Sequence, residues 1–264
     1  MPRKKTAPIT KHPRSNVQGP AQDGSRQNKR PHEEFDAQHR AEDAASIAYS
    51  RTLIDAIETQ ASRTAGEPPR LGDILKGTEY AISIFSQAEL AALLLYTRNN
   101  KPYLTCAASD KPRPAKPEEI VRQLYIRRLI SHYGYPKERI AVEKPVYFGS
   151  AVHEKAADIV IWEKNTSDTP FIIVEVKKPK RKDGLEQLKS YCNAEGSPIG
   201  VWTNGGETIA LHREEPNIFR SLPDIPHETQ RLADLLAERW TLEDLAKNNK
   251  LVIERRSLRG VIED

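Results

Sequence analysis

Cysteine is almost missing from this chain of 264 residues: Cys106 and Cys192 stand alone, with no CxxC pair and no metal-spaced pair among the seven histidines. That argues against a zinc site and a disulfide framework, and leaves both cysteines as small buried hydrophobes. No apolar run approaches the roughly 20 residues needed to cross a bilayer, and the N-terminus has no apolar signal core, so a cytoplasmic protein without a membrane segment is expected. A GxxxxGK[ST] phosphate loop is missing, as is a DPPY or NPPY motif. Neither an ATP-driven motor nor adenine methylation is expected within these residues. A large charge excess is missing too, since 41 Lys and Arg stand against 37 Asp and Glu.

The excess that exists is concentrated at one end. The first forty residues hold nine Lys or Arg, four Asp or Glu and five Pro, but few large apolar residues. Residues 1–45 therefore read as a disordered basic arm, solvated or in weak contact with phosphates. The remainder is close to neutral, so any surface for a polyanion must come from local clustering.

Past the arm, residues 46–60 have helical periodicity, and Ser86 opens an apolar helix expected to run through Leu90, Leu93, Leu94 and Tyr96. Residues 107–117 read as a loop that ends at Pro117, where a helix starts and continues to about Tyr133. On its wheel Glu118 falls in the apolar stripe with Arg122 one turn on, and Glu119 points about 100° away, making Glu118 the expected inward acid. Three Val- and Ile-rich runs follow (139–148, 157–162 and 171–176), then a helix over 183–194 with Asp183 as a plausible N-cap. Two further strands, 199–203 and 208–212, flank Asn204-Gly205-Gly206. Beyond 215 a proline-punctuated loop leads to a helix carrying Leu232, Leu235, Leu236 and Trp240. The expectation is an α/β fold with a mixed central sheet flanked by helices. Its parts are the arm, a helical lead-in over 46–114, a core over 115–215, and a helical extension or linker over 216–264. The charged stretch Arg255 to Arg259, without a clear cap, is what the front portion of a longer polypeptide would carry.

Chemistry concentrates in the core. Glu175 and Lys177 lie two apart on a strand and share a face with Ile173, whereas Ile172, Val174 and Val176 pack on the other. A carboxylate and an ammonium at the end of an apolar strand are costly unless a partner compensates, and a divalent cation is the natural compensator. Asp158, at the mouth of Ile159-Val160-Ile161, would meet Glu175 if the two strands are adjacent. Hard oxygen ligands suit Mg²⁺, with Mn²⁺ as substitute, and such an ion polarises a phosphodiester and acidifies a water. Lys177 would orient or deprotonate that water and stabilise the developing charge. Glu118 is a candidate further ligand. Gln187 and Tyr191 share one helical face beside the site, and Lys178, Lys180, Arg181 and Lys182 form a cationic run that reads as a phosphate clamp. Tyr147, Trp162 and Trp202 could stack on bases, but aromatic residues in strands are more often core.

Five segments carry a family resemblance: Pro117 to Gln123; Ala157-Asp158-Ile159-Val160; Ile173 to Pro179; Glu186 to Tyr191; and Gly200 to Gly205. Together they resemble the PD-(D/E)xK nuclease superfamily, and most closely the N-terminal nuclease domain of type I restriction enzyme R subunits. The likeness covers roughly residues 115–215, with Ala157 where the superfamily commonly has Pro. It implies a restriction-endonuclease-like core, metal ligation by Asp158 and Glu175, catalysis by Lys177, and support of the site and DNA backbone by Gln187 and Tyr191. It also implies double-stranded DNA as substrate. Specificity, methyltransferase or translocase modules would lie outside these residues. A non-catalytic DNA-binding or subunit-docking domain on the same fold is the alternative.

Overall fold

The alternation in Phe171 to Val176 decides the architecture. A computed structural model describes residues 41, 44–55, 69–78, 80–148, 151–177 and 183–237. Apart from 41, 44 and 45, the expected basic arm lies outside the described residues, and so do Lys178, Lys180, Arg181 and Lys182. Elements are numbered in chain order: α1 spans 44–55, α2 Leu71–Leu75 and α3 Gln87–Ala91. Strands β1 (Leu95–Arg98), β2 (Lys101–Thr105) and β3 (Pro112–Pro114) precede α4 (Pro117–Ser131). Then come β4 (Ile140–Phe148), β5 (Ala151–Trp162), β6 (Pro170–Val176), α5 (Asp183–Glu195), β7 (Ile199–Thr203), β8 (Thr208–Glu215), β9 (Ile218–Leu222) and α6 (Leu232–Ala237).

Strands β4 to β9 form one six-stranded sheet in sequence order, antiparallel throughout except for the parallel pair β6 and β7. That pair needs a crossover, which α5 supplies. Because β6 is central, both of its faces are buried. Ile172, Val174 and Val176 enter a large core layer with Ile120, Val121 and Leu124 of α4, while Ile173 enters a second layer with Leu188, Tyr191 and Cys192 of α5. The period-2 assignment of these side chains is borne out, as is the mixed α/β fold with helices on both sides. Both cysteines are free and buried. Among the described residues no helix is long and apolar enough to cross a membrane.

Three local expectations are corrected. The helix opened by Ser86 starts with a capping box to Glu89 but ends at Ala91, and Leu95 to Arg98 is strand β1 paired with β2. The cause is Asn99-Asn100, which takes φ of 50° and 57° and closes a two-residue hairpin, leaving Leu94 74% exposed. Part of the expected loop over 107–117 is strand β3, zipped to β2 through Thr105 and Pro112. Past residue 215 the chain adds β9 to the sheet before α6, turning at Asn217 with φ 67°. Short edge strands with mixed exposure give little periodic signal.

Asn204-Gly205-Gly206 does more than turn β7 into β8. Gly205 has φ 83°, donates to Thr203 Oγ1 and offers its carbonyl to Ile84 N at 3.2 Å, which ties the segment after α2 to the main sheet. A β-carbon there would lie 2.0 Å from the carbonyl oxygen of Ala81. Gly205→Ala should therefore destabilise the fold by on the order of 2–4 kcal/mol, read as a shift of the denaturant midpoint at constant slope. A change below about 0.5 kcal/mol would mean that this contact does not restrain the lead-in segment.

Candidate active site

Strands β5 and β6 run antiparallel with Ile159 opposite Val174, so one step further on Asp158 is opposite Glu175. The adjacency expected of the two acids is present. Asp158 is 7% exposed, and its Oδ2 accepts a hydrogen bond from Val176 N at 2.7 Å. Glu175 is 1% exposed, and its Oε1 accepts from Lys177 Nζ at 2.5 Å and from Gln187 Nε2 at 2.8 Å. Gln187 also donates to the Tyr191 hydroxyl, so the pair on α5 reaches the acid on β6 as one unit. Gly184 allows this approach, since a β-carbon on it would lie 2.5 Å from Lys177 Cγ and 2.7 Å from Trp202 Nε1.

The other flank is built by α4. Arg122, 6% exposed, donates from Nη2 to Asp158 Oδ1 at 2.5 Å and to Glu118 Oε1 at 3.2 Å. Its Nη1 donates to Glu119 Oε2 at 2.5 Å and to Glu143 Oε1 at 3.2 Å. Glu143 lies between the pairs Val142–Ile159 and Lys144–Ala157, hence across from Asp158, and takes φ 54° inside a strand. That conformation is costly for glutamate, and it accompanies ion pairs to both Arg122 and Arg113, the latter at 2.8 Å. Tyr80 donates to Glu118 Oε2 at 3.1 Å.

Burial dominates the electrostatics. It pushes the Glu175 carboxyl up to about 7, with the charge of Asp158 adding to the effect and Lys177 opposing it. Burial also raises Asp158 above the usual carboxylate range, against the pull of Arg122, the Val176 amide and Lys177. For Lys177 burial acts to lower the value, but the charge of Glu175, its hydrogen bond and the nearby acids outweigh it and hold the ammonium above its ordinary range. The Tyr191 hydroxyl is raised by burial and by Glu175.

Five carboxylates (Glu118, Glu119, Glu143, Asp158 and Glu175) face three cations (Arg113, Arg122 and Lys177). Among the described residues the acids outnumber the cations that face them, and burial keeps Glu175 partly protonated. Among the described residues Glu175 Oε2 is buried without a hydrogen-bond partner. Such an orphaned carboxylate oxygen beside a second buried acid fits a hard cation. Among the described residues no group of three or more His, Cys, Asp or Glu side chains is placed to hold a metal ion; Mg²⁺ needs only one or two protein carboxylates and keeps its waters.

The expected orientation at the start of α4 is corrected. Glu119 is the buried acid, 6% exposed, whereas the Glu118 side chain is 46% exposed. A helical wheel with a single buried stripe does not describe α4, which is enclosed on nearly every side from Glu119 to Ile126. Glu119 is tolerated inside because Gln123 Nε2 and Arg122 both donate to it. Sequence reasoning missed Arg122, Tyr80, Arg113 and Glu143 as parts of the site. For Arg122 the signal existed, one turn after Glu118 on a helix aimed at the sheet; for Glu143 no local signal exists. Trp162 and Trp202 are buried at 9% and 6%, in keeping with a core role, while Tyr147 is 51% exposed.

Residues 117–226 match the family model for the type I restriction enzyme R protein N terminus, which bears out the resemblance read from the motifs. No curated protein matches the chain significantly. A solved structure from Anabaena variabilis ATCC 29413, a candidate nuclease of DUF820, aligns at 13% identity over 57% of this chain and 88% of that one, with a TM-score of 0.32.

The burial of these carboxyls has a measurable consequence. The folded state holds the Glu175 proton up to about 7, whereas the ordinary value is 4.5, so without metal the protein loses stability as pH rises across that window. Asp158 shifts in the same direction. Glu175→Gln should flatten this dependence and raise metal-free stability at pH 8 by on the order of 1–3 kcal/mol. Urea melts from pH 4 to 8 decide it; a stability that rises through the window, or a Gln variant as pH-dependent as the parent, would contradict the assignment.

Proposed function

We propose that residues 117–226 form a metal-dependent DNA endonuclease domain of a restriction system. One observation carries the reading: Asp158 in the middle of β5 meets Glu175 and Lys177 at the C-terminal end of β6, and the buried Glu175 Oε2 has no hydrogen-bond partner among the described residues. A pure DNA binder has no use for that trio. The family match supports a restriction-type nuclease over other phosphodiesterases.

Asp158 and Glu175 are the residues to hold Mg²⁺ or Mn²⁺, which when bound supplies Lewis-acid polarisation of the phosphodiester and a more acidic attacking water. The protein's own groups have separable tasks. Lys177, kept protonated beside Glu175, acts as a charge that steadies the phosphorane-like oxygens rather than as a base. Gln187 fixes the rotamer of Glu175 and is itself held by Tyr191. In the metal-free protein the Val176 amide and Arg122 fix Asp158 from two sides. Glu118, half exposed at the rim, faces incoming solvent and substrate. Lys178, Lys180, Arg181 and Lys182 follow Lys177 directly in sequence, where they would bring the DNA backbone to the site. Recognition of a DNA sequence would come from partner subunits in the cytoplasm, as the R-protein match suggests.

Plasmid nicking in Mg²⁺ or Mn²⁺, alone and with specificity and motor partners, tests the proposal. Wild type should cut, and Asp158→Ala and Lys177→Ala should each lose at least about a hundredfold, the scale of removing one electrostatic stabiliser, while still binding DNA. Equal nicking by all three would reject the catalytic assignment. DNA binding without cutting under any of these conditions would favour a non-catalytic docking domain.

A further inference from the structure

We propose that Arg122 is a resident counter-cation of the metal site, occupying Asp158 in the metal-free protein and passing to Glu118, Glu119 and Glu143 when a divalent cation takes the aspartate. The inference rests on the proposed metal site but concerns a residue to which that reading gives only a structural part.

The geometry supports it in three ways. Arg122 is 6% exposed and enclosed, so its positive charge stays within the cluster whichever acid it serves. It already touches three carboxylates besides Asp158, all reached from the same two nitrogens. Releasing Asp158 Oδ1 therefore strands no buried charge, the step that makes breaking an ion pair costly elsewhere. Finally, Glu143 keeps a left-handed backbone within β4 while its carboxylate contacts Arg122 and Arg113, and Glu118 takes a hydrogen bond from Tyr80 that fixes it at the rim. These acids are set to receive the guanidinium. Arg122 is accordingly a positioning residue that sets how much metal the site requires. The positive charge against Asp158 Oδ1 repels an arriving cation and must move first.

The test uses Mn²⁺ alone, with no DNA, and counts free ion by electron paramagnetic resonance. Arg122→Gln should tighten Mn²⁺ binding at least about fivefold, and Arg122→Lys, which restores the charge, should return it toward wild type. Glu118→Gln removes one acceptor and should weaken binding about threefold in the wild-type background but not in the Arg122→Gln background. An equal loss in both backgrounds would make Glu118 a direct ligand and overturn the transfer. Unchanged or weaker binding by folded Arg122→Gln would overturn the counter-cation role itself. Should Arg122→Gln fail to fold, Glu118→Gln and Glu143→Gln decide: weakened binding in both supports the transfer, and weakening in Glu118→Gln alone rejects it. Asp158→Ala separates the two levels, since undiminished Mn²⁺ binding there would remove the metal site and the proposal with it.

Discussion

Two carboxylates opposite each other on antiparallel strands, both more than nine-tenths buried, are the constraint around which this domain is arranged. Neighbouring buried acids repel, and neither is solvated, so each must be compensated by the protein or by an ion. Asp158 is served by Arg122 and a backbone amide, and Glu175 by Lys177 and Gln187. Burial, with the charge of Asp158 adding to it, holds the Glu175 carboxyl near 7, and one of its oxygens has no hydrogen-bond partner among the described residues.

Everything else in the core holds those two strands in register and brings the compensating groups to them. Helix α4 packs on one face of the sheet and delivers Arg122; helix α5 packs on the other and delivers Gln187 with Tyr191. The parallel step from β6 to β7, with α5 as its crossover, brings Trp202 alongside Glu175 and the start of α5 against Lys177. The lead-in segment is drawn into the same assembly through Tyr80 and through the contact of Ile84 with Gly205. Structure and site are therefore not separable layers: the helix that closes the core also carries the counter-cation.

Much of this was legible in the residues. Alternation along 171–176 assigned Glu175 and Lys177 to one face and the aliphatic residues to the other, and the strand-strand-helix spacing brought Asp158, Gln187 and Tyr191 to the same place. What escaped was of two kinds. Short edge strands such as β3 and β9 lack a periodic signal, and the Asn99-Asn100 hairpin lost out to the apolar pattern of α3. Glu118 and Glu119 were interchanged because a helix enclosed on almost all sides has no single stripe, and a buried acid paired with Arg122 and Gln123 mimics neither an apolar nor an exposed position. Long-range ion pairs such as Arg122 with Glu143 become visible only once the strands are in register.

The central claim, that Asp158 and Glu175 form a divalent-cation site, is tested most directly by anomalous diffraction from crystals grown with Mn²⁺. The account predicts a peak shared by the two carboxylates, with Glu175 Oε2 among its neighbours. No peak there under saturating Mn²⁺, with Arg122 still against Asp158 and Glu175 Oε2 still unpaired, would contradict it.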